Sequence, residues 1–129
     1  MAKCFIIEPR RVLQADLPDE LEILQTIVGG DIEGIRLNGE GDPHAYCGKD
    51  AIAQRQPPNA LASLFVRKHA TVPAEMVIFG TIVVLGGDHE GGEADLPEWA
   101  EVSIRELVPA ARKVVEVARS AWVPSTEDN

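Results

Sequence analysis

Residues 21–37 read LEILQTIVGGDIEGIRL, and the rest of the chain is organised around this stretch. Pro18 suits a first helical position, where its missing N–H has no intrahelical partner to lose. Asp19, Glu20 and Glu22 bring negative charge to the positive end of the helix dipole. Leu17, Leu21, Leu24, Ile27 and Val28 recur at helical spacing and form one apolar stripe. Gly29 and Gly30 then end the helix, because glycine takes a left-handed cap conformation without a Cβ penalty. The residues that follow read as a strand, in which strict alternation places Glu33 on the face of Ile35 and Leu37. A bulge at Gly34 or a rim position would turn Glu33 outward. Otherwise Glu33 is half-buried against a donor, the kind of perturbed carboxylate that marks a site.

Working outward, KCFIIE (3–8) is a first strand with apolar residues on both faces. Residues 10–16 read as a connection. NGEGDP (38–43) is dense turn chemistry and predicts a hairpin into a short strand at 44–47. Residues 48–58 form a loop ending in Pro57-Pro58. Asn59 has the chemistry of an N-cap for a helix over 60–69, with Leu61, Leu64 and Phe65 on one side. MVIFGTIVVL (76–85) is the most apolar run and predicts a central strand, with Gly80 marking a bulge or a close backbone approach. Residues 88–98 form an acidic surface loop. Beyond it Ile104, Leu107, Val108, Ala111, Val114, Val115, Ala118 and Trp122 keep helical spacing, with a break or kink expected near Val108 because Pro109 interrupts the pattern. The order is β-α-β-β-α-β plus a C-terminal helix. It predicts an α+β fold: a small, mainly antiparallel sheet with helices packed on one face. Residues 1–98 make the core domain, 99–123 an amphipathic helical extension of it, and 124–129 a disordered tail.

The bulk chemistry narrows the function classes. A chain of 129 residues is one domain by length. Its net charge of −9 argues against non-specific phosphate binding, which needs a basic footprint. The acidity is uneven: residues 86–129 hold ten acidic and four basic side chains, and 88–101 hold six acids and no base. Cys4 and Cys47 fit no CxxC spacing, and neither a signal peptide nor an apolar run long enough for a membrane span is read. These features predict a reducing cytoplasm with both thiols free.

No chemistry-bearing motif is complete. His44 and Cys47 stand an odd number apart on a strand and would point to opposite faces, so no metal site is expected. The Asp88-His89-Glu90 cluster lacks the alternating oxygen ligands of a calcium loop. GGD (29–31) and GGDHEGGE (86–93) carry acids where a phosphate would sit. Ser63, Ser103 and Ser120 lie in helical patterns without a nucleophile elbow, and no catalytic residue or cofactor is expected.

Three segments fall in a shared order: LQTIVGGDIE (24–33), PPNALAS (57–63) and IFGTIVVLG (78–86). In this order they resemble the domain-of-unknown-function 3846 family, found largely in phages, plasmids and actinobacterial genomes. The matching positions are Leu24, Gln25, Val28, Gly29, Gly30, Ile32, Glu33, Asn59, Ala62, Ser63 and Gly80. The resemblance spans residues 3–87. It departs at CGKDAIAQ (47–54), where the family carries an acidic pair before a glycine. It implies no reaction, only a setting: a small phage or mobile-element protein acting in a host cytoplasm.

Three functional expectations follow. The first is a non-enzymatic protein that binds a host protein or itself, in host takeover or counter-defence, with Trp99 and Trp122 as aromatic anchors on the last helix. The second is a pocket for a small, nucleotide-like ligand, or an enzyme, with Gln25, Glu33 and Asn59 as converging polar groups beside Gly29 and Gly30. The third is an acidic DNA mimic. Direct nucleic-acid binding and membrane insertion are not expected.

Overall fold

The N-terminal apolar run pairs at once with the residues that follow it. A computed structural model describes residues 1–18, 20–88 and 92–126. Asp19, His89 and Glu90 lie outside the described residues. Strand β1 (Ala2–Glu8) turns at Pro9-Arg10 into β2 (Arg11–Leu17), in register from Ala2↔Leu17 to Glu8↔Arg11. The Arg11 guanidinium closes this hairpin on Glu8 at 2.6 Å. Residues 11–16 are therefore strand and not a connection. Their polarity suits an edge, and pairing to β1 outweighs their weak intrinsic preference.

Helix α1 (Leu21–Val28) starts later than Pro18 would suggest, with Glu20 in extended backbone as its N-cap. Its end is as the two glycines predict. Gly29 has φ 90, and the N–H groups of both Gly29 and Gly30 donate to the Gln25 carbonyl at 2.9 Å. Strand β3 (Ile32–Arg36) follows and pairs with β4 (His44–Gly48) in unbroken register, Glu33 opposite Cys47. No bulge forms at Gly34. Glu33 is exposed instead because β3 is the sheet's outermost strand, so the rim position resolves the conflict.

After α2 (Ala60–His69) comes β5 (Ile82–Gly87), then the short β6 (Glu93–Ala94) and α3 (Glu98–Thr126). The strand order is β2-β1-β5-β4-β3, every pairing is antiparallel, and β6 pairs with the end of β5. β5 is central as expected, but it begins at Ile82. Gly80 at φ 80 and a single bridge from Phe79 to Pro58 hold residues 76–81 out of the ladder.

The α+β class and the antiparallel sheet stand; the helices, expected on one face, divide between two. Phe5, Ile7 and Val84 face α2 and the first half of α3, whose Phe65, Val66 and Ile104 are buried against them. Cys4, Val83 and Leu85 point the other way, to Leu24 and Val28 of α1. Period-two alternation in β1 and β5, apolar at both parities, requires this two-sided cover.

α3 runs through Pro109 without a break. Proline there removes one N–H and leaves the Arg105 carbonyl without its intrahelical donor. Both residues lie on the exposed side, where a missing intrahelical bond costs less than in a dry interior. Helical backbone continues to Thr126, into the stretch expected as a tail, while 127–129 lie outside the described residues.

One side chain ties the two-sided core together. Asn59 is fully buried and caps α2, its Oδ1 accepting from the Ala62 N–H at 3.0 Å. Its Nδ2 donates to the Ile7 carbonyl at 2.9 Å and to the Gly80 carbonyl at 2.8 Å. Replacing Asn59 with alanine strands these partners in a dry interior, so a loss of about 3 kcal/mol or more is expected in urea unfolding. Asn59→Asp should cost more still, because a carboxylate cannot donate to two carbonyl oxygens. An Asn59→Asp variant as stable as the parent would show that the amide is not holding these segments.

Candidate functional site

The sequence offers two candidate sites, and the fold treats them differently. Gln25, Gly29 and Gly30 lie at the C-terminal end of α1. There Gln25 Nε2 reaches Asp31 at 3.5 Å, and Gln54 Nε2 donates to the Gly29 carbonyl at 3.2 Å. Gln56 donates to Gln54 at 2.6 Å and lies so close to Gly80 that any Cβ there would meet its side-chain oxygen. The family-like glycines are thus gathered around two glutamines, Gln54 and Gln56, that sequence reasoning passed over. Their one signal is position, on either side of Arg55, whose φ of 58 makes a sharp corner just before Pro57-Pro58.

Asn59 and Glu33 do not join this corner. Asn59 is engaged on all its polar atoms inside the core. Glu33 points from an edge strand toward solvent beside Cys47, on the side of the sheet away from α1. Gln25, Glu33 and Asn59 therefore do not converge on one cavity.

Trp99, the expected anchor, is engaged within the chain. Its indole Nε1 donates to the Glu40 carbonyl at 2.9 Å, and its ring lies where a Cβ on Gly39 would be. It also closes a ring series, Phe65 to His69 to Trp99, at centroid spacings of 5.0 Å. The side chain of Trp122 lies outside the described residues.

Two grooves sit elsewhere, on both sides of α3 where it passes the start of α2. One groove of about 580 Å³ runs between the β1–β2 turn and the outer half of α3, with Leu61, Ala111 and Arg112 in its walls. A second of about 410 Å³ runs between Pro57-Pro58 and Val114. Pro9, Arg10, Ala60 and Val115 line both. Their volumes lie in the range of small-molecule sites. Sequence reading found α3's apolar stripe but not the grooves, which depend on how far the helix outruns its supports. At 1.5 Å per residue α3 extends about 43 Å, against about 15 Å for α2.

The first half of α3 is firmly seated. Lys3 Nζ meets Glu101 at 2.7 Å, and the Arg105 guanidinium lies 5.3 Å from the Phe5 ring centroid. Inside this contact His69 Nε2 is 2.6 Å from Ser103 Oγ. Ser103 is buried in mid-helix, so the pair is a packing bond and not an accessible nucleophile with its base. No group of three metal-ligating side chains occurs among the described residues, and no described helix is long and apolar enough to cross a membrane.

A family model described as a domain of unknown function, DUF3846, matches residues 2–108. No curated protein and no solved structure matches the chain. The matched stretch ends at Val108, the residue before Pro109, so the grooves' α3 wall lies almost wholly beyond it.

Two measurements check the burial described here. Burial first, then Lys68, lowers the His69 pKa from its ordinary 6.5. The folded chain therefore disfavours the imidazolium: this contribution to stability is present above pH 6.5 and is lost as pH falls through the folded value. The Glu101 carboxyl, held down chiefly by Lys3, acts separately, below 4.5. Urea midpoints should fall between about pH 7 and about pH 5 and fall less in His69→Gln. Equal slopes in parent and variant would place the imidazole in solvent. Burial also pushes the Cys4 and Cys47 thiols up to about 11 each, so a disulfide reagent at neutral pH should label them only as the chain unfolds. Rapid labelling of the native protein would contradict both assignments.

Proposed function

The chain belongs to the DUF3846 family, and from the surface its helices leave open we propose a non-enzymatic binding protein that docks on a protein partner through the outer half of α3. The observation that carries this reading is the exposure of Val114 and Val117, at 48% and 57%, on a helix whose inner half is buried. Two valines a helical turn apart, beside an apolar groove, make a ready contact stripe. A second copy of the chain suits it best. Before Pro109, Glu98, Glu101 and Glu106 outweigh Arg105 by two, and after it Arg112, Lys113 and Arg119 outweigh Glu116 by two, so two α3 helices laid antiparallel bring net acid against net base. A protein of the cell in which the chain is made is the other partner. The setting implied by the resemblance, a phage or mobile-element product in a host cytoplasm, belongs to the same proposal.

Sedimentation equilibrium of the full chain tests this directly. The parent should self-associate, and Val114→Asp/Val117→Asp should weaken association at least tenfold, about 1.4 kcal/mol. If the parent stays monomeric, affinity capture from lysate with parent and double variant tests the cellular partner. A monomeric parent that retains the same proteins as the variant would overturn the docking role.

A further inference from the structure

We propose that the groove between Pro57-Pro58 and α3 binds an organic anion with an apolar body, a carboxylate, sulfonate or phosphate monoester. This goes beyond protein docking and applies to the single chain.

The charge at the groove runs against that of the molecule. The chain carries −9, yet among the described residues the only charged side chains lining this groove are Arg10 and Arg67. Arg10 makes no ion pair among the described residues. Arg67 directs one N–H to the Ala74 carbonyl at 3.0 Å, which fixes its guanidinium while leaving further donors of its fork available. An arginine held in this way suits a planar or tetrahedral oxyanion better than a mobile ammonium does.

The walls are apolar. Val77 and Val114, exposed at 47% and 48%, line the same groove, so two exposed aliphatic side chains share one depression. The polar residues behind them offer a ligand little. Asn59 bonds to Ile7 and Gly80, and the Ser63 hydroxyl donates to the Asn59 carbonyl at 2.7 Å and accepts from the Ile78 N–H at 2.8 Å. Recognition therefore falls to hydrophobic contact on the walls and to charge from the arginines. Three prolines, Pro9, Pro57 and Pro58, stiffen the wall, which lowers the ordering cost of binding. A volume of about 410 Å³ accepts a bicyclic or medium-chain body.

The test uses two fluorescent probes with the same aryl-naphthylamine skeleton, 1-anilinonaphthalene-8-sulfonate and the uncharged N-phenyl-1-naphthylamine. Titrations use the full-length chain carrying Val117→Asp, a residue outside the groove, so that failure of self-association cannot be confused with failure of the groove. The sulfonate should bind saturably at one site per chain and at least tenfold more tightly than the neutral probe. Arg10→Gln/Arg67→Gln should remove that preference and leave the neutral probe unchanged, and Val77→Asp should weaken both. Added salt should weaken the sulfonate alone, a readout that needs no variant in the groove. Equal affinity for the two probes, or sulfonate binding indifferent to salt and to both arginines, overturns the proposal.

Discussion

A single buried amide decides where the groove-forming elements can stand. Asn59 joins the end of β1, the start of α2 and the Gly80 turn ahead of β5. Each partner is a backbone group that a dry interior would otherwise leave stranded, so the arrangement is fixed by a penalty for error more than by a gain for success. Gly80 has its positive φ in consequence: its carbonyl turns to Asn59 while its N–H donates to the Pro57 carbonyl at 2.8 Å. Pro57-Pro58 is thereby held against the sheet. That places a rigid proline wall opposite α3.

The sheet's central strand carries the second constraint. β5 is buried over nearly its whole length and faces helices on both sides. A continuous run such as IVVL has no solvent face to offer, so the chain must supply cover twice. α1 does so with only eight residues, ended by the Gly29-Gly30 cap. On the other side α2 and the inner half of α3 share the work, held by Lys3–Glu101 and by Arg105 on Phe5.

Residues whose local chemistry and tertiary surroundings agree are legible in advance. Leu24 and Val28 of the α1 stripe, the glycine cap, the Asn59 cap and the turn at 38–43 read correctly because each is set by neighbours in sequence, whereas Leu17 falls in β2 and Leu21 is exposed. β2 does not, since RVLQADL has little strand preference and owes its form to β1. The start of β5 is misplaced because 76–81 is as apolar as a strand, yet Gly80 answers to Asn59 and Gln56. The usual cost of a proline such as Pro109 is greatest in a dry interior; here Arg105 and Pro109 are both exposed. Of the ligand residues, Gly29 and Gly30 lie against Gln54 and Gln56, and Gln25 meets the two glycines through its backbone carbonyl. Asn59 and Glu33 stand out by chemical type, and type says nothing of whether a polar atom is already engaged.

The strand order leaves β2 and β3 as the outermost strands, each paired on one side only among the described residues. An open strand edge is a template on which another chain can add. Both carry charge along that margin, Arg11 and Asp16 on one and Glu33 and Arg36 on the other, and Gly34 interrupts the second. Glu33 thus acquires a use that needs no ligand. A carboxylate set at the lip of an unfinished sheet works as a fence, because a strand added at that edge would have to desolvate its charge.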